Sequence, residues 1–207
     1  VRFIKGDKII LIGDSITDAG RLSDPEQVGD GYYRLIRDYY LASFPELNLQ
    51  FINKGVGGNR VTDLFDRWQD DVIALQPNWV SVMIGINDVW RQLDSPGIEQ
   101  VYPNDFERIY TDILTKLKEQ TDAKIILMEP TIIEENLASK GNHLLVDYVQ
   151  IVNDLAVKFD ALLVPTNKVF RQYVEGGYDN NLTTDHVHMN SIGNMLLAKT
   201  WIETVQN

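Results

Sequence analysis

Three histidines are the only side chains in this 207-residue chain that ordinarily titrate near neutrality, and there is no cysteine. A hydroxyl nucleophile would have to find its base among His143, His186 and His188, because a free hydroxyl is almost wholly protonated at neutral pH. His143 stands in SKGNHLL, near a helix start, and reads as a surface residue. The other two share the segment TTDHVHMNSIG with Asp185. A catalytic base is held in one tautomer by an acid on its other ring nitrogen. Asp185 and His188 are three apart and would share one face of a helical turn, whereas the adjacent side chains of Asp185 and His186 diverge. His188 is therefore the expected base, Asp185 its orienting acid, and His186 a loop residue near the mouth. Standing alone, the same Asp-x-x-His would read as a helix cap beside an incidental histidine.

The candidate nucleophile is Ser15, in IILIGDSITDAG, where an apolar run stops at Gly13 and presents Asp14, Ser15 and Thr17 together. Attack on a carbonyl also needs donors for the developing oxyanion. The backbone N–H groups of Ser15 and of Gly58, in NKGVGGNR, and the side-chain amide of Asn87, in GINDVWR, are the expected three. Each alone reads as a turn residue; together they make one site. Asp14 and Trp90 are grouped with the substrate contacts. Trp90, three residues beyond Asn87, could present its ring to a bound substrate, and fits a core or subunit-interface position equally well. Tyr32, Tyr33 and Arg60 are further candidates for the mouth, with a plain surface position the favoured reading.

These segments need a frame that brings them to one edge. Short apolar runs without two-residue alternation, at Lys8–Gly13, Leu49–Asn53, Trp79–Ile84, Lys124–Glu129 and Ala161–Pro165, read as strands buried on both faces. Helical stripes lie between them: Phe106 to Leu117, Val61 to Leu75, Leu145 to Phe159, and a last helix from about Ser191. The alternation predicts one domain over residues 1–207, a three-layer α/β/α sandwich with a five-stranded parallel sheet. Ligands bind beyond the carboxyl ends of such strands, which is where all four polar segments fall. The stretch NDVWRQLDSPGIEQVYPN is expected to be a long loop, able to reach a neighbouring subunit or act as a lid.

Several classes are excluded. GVGGNR lacks the third glycine of a dinucleotide fingerprint and follows the second strand rather than the first, and GDSIT lacks the second glycine of the α/β-hydrolase elbow. With 19 basic against 30 acidic residues, a net charge of −11 and no basic stripe, a nucleic-acid partner is not expected. No apolar segment reaches the length of a membrane span, and VRFIKGDKII lacks the apolar core of a signal peptide. Because the sequence starts at Val1, an earlier leader is compatible with it; cytoplasmic is the default expectation. The chemistry outlined needs no metal and no organic cofactor.

In order along the chain, GDSIT, GVGGN, GIND and DHVH resemble the four blocks of the SGNH hydrolases, the GDSL-type esterase and lipase family. The resemblance implies a flavodoxin-like fold, with Ser15 as nucleophile, Asp185 and His188 completing the triad, and Ser15, Gly58 and Asn87 forming the oxyanion hole. The chain departs from common family patterns at Met189, where proline often follows the histidine, and at Gly57, where serine is frequent. RWQDDVIALQPNWVSVMIGINDVWRQ is similar to the branch of small carbohydrate acetylesterases, which implies an acetylated sugar or oligosaccharide as substrate and makes a homo-oligomer plausible. The alternatives carried are a lysophospholipase or acyl thioesterase on the same triad, and a non-catalytic carbohydrate-binding module on the same fold.

Overall fold

The computed structural model describes residues 2–207. The chain runs β1 (Lys8–Gly13), α1 (Ser15–Asp18), α2 (Tyr32–Ser43), β2 (Gln50–Gly55), α3 (Val61–Asp71), β3 (Trp79–Met83), α4 (Ile86–Asp94), α5 (Pro103–Gln120), β4 (Lys124–Met128), α6 (Lys140–Lys158), β5 (Leu162–Val164), α7 (Thr166–Glu175) and α8 (Ser191–Gln206). The five strands pair in parallel in the order β2-β1-β3-β4-β5. Helices α2 and α8 pack on each other to cover one face, and α3, α5 and α6 pack serially over the other. Every residue of β3 is buried, and all but the first of β1, which is why neither strand alternates in sequence. Trp201 of α8 reaches the sheet centre and donates to Ser81 Oγ of β3 at 2.9 Å.

Gly13 pairs with both Gly55 and Met83, so β1, β2 and β3 end level with one another. The strand order reverses at β1 and β3, and a crevice opens at such a reversal beyond the carboxyl ends of the strands. The chain leaving β1 enters α1, the chain leaving β2 enters the Gly57–Gly58 turn, and the chain leaving β3 enters α4.

Several expected elements are corrected. The second strand runs two residues further, because Lys54 and Gly55 pair with Ile12 and Gly13, and the fifth is only three residues long. The apolar stripe to Leu75 breaks at Val72 into a short 3₁₀ turn. The expected loop after Asn87 is mostly helical, as α4 and the start of α5. Tyr32 and Tyr33 are not at any mouth: with Ile36 and Tyr40 they are the buried stripe of α2, and Tyr32 Oη lies 2.9 Å from Thr17 Oγ1.

The turn carrying Ser15 lies directly on the ends of the strands. A Cβ added at Gly55 would stand 2.1 Å from the backbone nitrogen of Asp18 and 2.5 Å from the carbonyl carbon of Thr17, so only glycine admits α1 at this height. Gly55→Ala is expected to destabilise the fold by about 1–3 kcal/mol or more, read as a lowered midpoint in thermal unfolding; an unchanged midpoint would show that α1 can lift off β2 freely.

Candidate active site

Ser15 is the first residue of α1. Asp14 caps that turn, its Oδ1 accepting from Ile16 N at 2.9 Å. From below, Asn53 of β2 donates its amide to Thr17 O at 2.8 Å and to Val28 O at 2.9 Å. The serine is thus held by backbone on a rigid strand end, with its own N–H pointing out of the helix start without an intrahelical acceptor.

Ser15 Oγ lies 2.8 Å from His188 Nε2, and His188 Nδ1 lies 2.7 Å from Asp185 Oδ2. A carboxylate can only accept, so Nδ1 carries the proton and Nε2 is left as the acceptor facing the serine hydroxyl. Asp185 Oδ1 also accepts from the backbone N–H of His188 at 2.8 Å and of Val187 at 3.2 Å. Desolvation works against its charge, but those two backbone bonds and the imidazole bond outweigh it and hold the carboxyl below its ordinary range. Asp185 and His188 do not share a helical face as their spacing suggested. They sit in a narrow loop closed by a bridge between Thr183 and Met189, where the aspartate folds back on its own chain. His186 is exposed in a left-handed conformation, φ 76°, and His143 is exposed on α6.

Gly58 adopts φ +80°, and its N–H has no acceptor among the described residues. Asn87, on the first turn of α4, donates one amide hydrogen to Asn59 O at 3.0 Å, which leaves the second free. Arg67 of α3 secures the same corner, bonding Gly13 O at 3.0 Å, Lys54 O at 2.8 Å and Asn59 Oδ1 at 2.7 Å. One guanidinium therefore ties the ends of β1 and β2 to the turn that carries Gly58.

Ser15, Gly58, Asn87, Asp185 and His188 line a pocket of about 180 Å³. Trp90, Arg91 and Val187 complete it. Arg91 and Val187 were not anticipated; Asn87, Trp90 and Arg91 fall at i, i+3 and i+4, so reading α4 as a helix would have placed all three on one face. Arg91 is paired with Asp94. Arg60 points elsewhere, donating to Glu99 O at 2.7 Å. A larger cleft of about 430 Å³ lies at the opposite, amino ends of the strands, lined by Arg2, Trp79, Lys118 and Lys124, and shares no residue with these groups. Among the described residues no group of three or more His, Asp or Glu is placed to hold a metal ion, and no helix is long and apolar enough to cross a membrane.

Asp14 does not reach the pocket, contrary to the expectation that it contacts substrate: it is 1% exposed, because its carboxylate is consumed in capping α1. Asp88, fully buried beside Asn87, accepts from Val61 N at 3.1 Å through Oδ1, while its Oδ2 has no partner. Burial pushes both carboxyls up to about 7, against the Ile16 N–H for Asp14 and the Val61 N–H for Asp88, with the charge of Asp14 raising Asp88 further.

Residues 11–196 match the GDSL-like Lipase/Acylhydrolase family. An acetylxylan esterase of Geobacillus stearothermophilus is 38% identical over 208 residues, covering 97% of this chain and 94% of the relative. The crystal structure of that organism's acetylxylan esterase superposes with a TM-score of 0.92 at 36% identity, covering 100% of this chain and 97% of the other. An α/β hydrolase from the metagenome of Lake Arreo, Spain, superposes with a TM-score of 0.92 at 33% identity, over 99% and 97% of the two chains.

A carboxyl with a raised pKa binds a proton in the folded chain at pH values where the unfolded chain has lost it. Its contribution is fully present below the ordinary carboxylate range and is lost as pH rises through about 7. Between about pH 5 and 8 the wild-type unfolding midpoint should therefore fall relative to that of Asp88→Asn, which cannot titrate; parallel midpoints across that range would show that Asp88 is already ionised in the fold.

Proposed function

The chain belongs to the GDSL-like lipase/acylhydrolase family of carboxylic ester hydrolases, and from that premise we propose that it removes short acyl groups, acetyl above all, from esters on sugars or oligosaccharides such as acetylated xylo-oligosaccharides. The observation that carries the reading is the chain of contacts Ser15 Oγ to His188 Nε2 to Asp185 Oδ2, at 2.8 and 2.7 Å, opening into a small pocket. A volume of about 180 Å³ is well below the ~300 Å³ at which pockets for drug-sized ligands begin. The acetylxylan esterase relative supports the substrate class.

In this mechanism Ser15 Oγ attacks the ester carbonyl carbon while its proton passes to His188 Nε2. Charge on the carbonyl oxygen is met by the N–H groups of Ser15 and Gly58 and by the free amide hydrogen of Asn87. Collapse of the tetrahedral species breaks the carbon–oxygen bond, and His188 gives its proton to the departing sugar hydroxyl. Water then loses a proton to His188 as it adds to the acyl-serine, and acetate leaves with Ser15 restored. Asp185 keeps the imidazole in the required tautomer and offsets its transient charge. Trp90 and Arg91 complete the pocket wall beside Asn87.

The test is kcat/KM on p-nitrophenyl acetate against p-nitrophenyl octanoate, with Ser15→Ala as the blank, followed by acetylated xylo-oligosaccharides. Acetate is expected to be preferred, with the rate lost in Ser15→Ala and in His188→Ala. Asn87→Ala is expected to lower kcat on the order of 10² to 10³. Preference for octanoate would replace this reading with a lipid or thioester substrate. A rate no higher than the blank would leave the binding module as the function.

A further inference from the structure

The acid and base of the site are the least supported part of it. The side chains of His188 and Asp185 are 48% and 55% exposed, and the loop bearing them lies outside any helix or strand. Apolar packing alone cannot hold such groups to the fraction of an ångström that proton transfer requires. Their register comes in part from the buried flanks of the loop, Leu182, Val187 and Met189, and from the start of α8, where Asn190 N donates to Leu182 O, and in part from hydrogen bonds to another segment, residues 129–139, between β4 and α6.

Glu135 Oε1 accepts three bonds from that loop: Leu182 N at 3.0 Å, Thr183 N at 2.9 Å and Thr183 Oγ1 at 2.7 Å. Beside it, Glu134 N donates to His186 O at 2.8 Å, with both residues in the left-handed region. The acidic segment is itself fixed to the core. Asn142, 1% exposed on the first turn of α6, donates to Ile133 O, Glu134 O and Asn136 O, and its Oδ1 accepts from Ile133 N at 3.0 Å. A Cβ on the neighbouring Gly141 would strike Ile133 Cγ2 at 2.6 Å, so helix and segment are in full contact. Desolvation opposes the charge of Glu135, yet the Thr183 hydroxyl and the two backbone donors hold its carboxyl below its ordinary range.

We propose that Glu135 is a positioning residue for the hydrolytic site, gripping Leu182 and Thr183 so that the loop presents His188 to Ser15 at hydrogen-bonding distance. It touches neither substrate nor the reacting atoms. The inference rests on the reading of Ser15, His188 and Asp185 as a triad. Each bond to Glu135 has an ionised acceptor, so the grip is stronger than three neutral bonds would be. A glutamine oxygen at the same place still accepts, and alanine leaves all three donors unmet.

The test compares Glu135→Ala and Glu135→Gln in the full chain, by kcat and KM on p-nitrophenyl acetate and by the low-field proton resonance of the His188 Nδ1–H to Asp185 bond. Misplacement on the scale of 1 Å costs roughly 10²-fold in rate. Glu135→Ala is expected to lower kcat by about 10- to 100-fold with KM within about twofold, and to broaden or lose the low-field resonance. Glu135→Gln is expected to recover most of both. If the alanine variant does not fold, Thr183→Val, which removes one of the three donors and keeps the shape, is expected to show a smaller loss of kcat in the same direction. Wild-type kcat and an unaltered resonance in Glu135→Ala, or in Thr183→Val where that variant stands in, would overturn the grip, and an inactive His188→Ala would then leave the triad standing. The resonance needs no substrate, so it reads the grip even if the wild type hydrolyses no ester and the functional reading fails.

Discussion

A single hydrogen bond, Ser15 Oγ to His188 Nε2, joins residues 173 apart in sequence, and most of the structure can be understood as what that contact requires. The two partners are held in opposite ways. Ser15 stands on a turn pressed against the ends of buried parallel strands, where the backbone has nowhere to go. His188 stands exposed on a loop whose flanking Leu182, Val187 and Met189 are buried and whose turn is fixed by hydrogen bonds. The sheet supplies a rigid half of the site, and loops secured to it supply the adaptable half.

The donors for an oxyanion belong to the rigid half. Because Gly13, Gly55 and Met83 pair across the sheet, the segments that follow β1, β2 and β3 begin at one height, and three donors from three segments can face one point. Arg67 and the shared amide of Asn87 then lock the turn of Gly58 to both neighbours. Such preorganisation has an electrostatic cost. Asp14 and Asp88, needed as backbone acceptors at two helix starts beneath the pocket, are buried where a carboxylate is poorly solvated, and both are pushed toward neutrality.

Much of this was legible in the chain. Strands buried on both faces announce themselves as unbroken apolar runs, and glycine-rich polar segments following them mark the ligand edge, so the sheet and the positions of Ser15, Gly58, Asn87 and the Asp185–His188 segment could be read from local pattern. Helix α2 was missed because its buried stripe is largely tyrosine, whose hydroxyls make it look like surface, and α4 because GINDVWR begins with turn formers. Asp14 was misplaced since nothing local distinguishes a helix-capping aspartate from one facing substrate. The loop at Asp185 was mistaken for a helical turn: a three-residue spacing also suits an aspartate that folds back on its own backbone. Glu135 lies 47 residues from Leu182, and no periodicity reports a contact at that separation.

The convergence of nucleophile, base and oxyanion donors on one point is the centre of this account, and a crystal structure of the protein inactivated by a small phosphonate ester tests it most directly. The account predicts a tetrahedral adduct on Ser15 Oγ, with one phosphoryl oxygen within about 3.1 Å of Ser15 N, Gly58 N and Asn87 Nδ2 together. An adduct on another residue, or a phosphoryl oxygen turned to solvent with Gly58 and Asn87 unengaged, would contradict it.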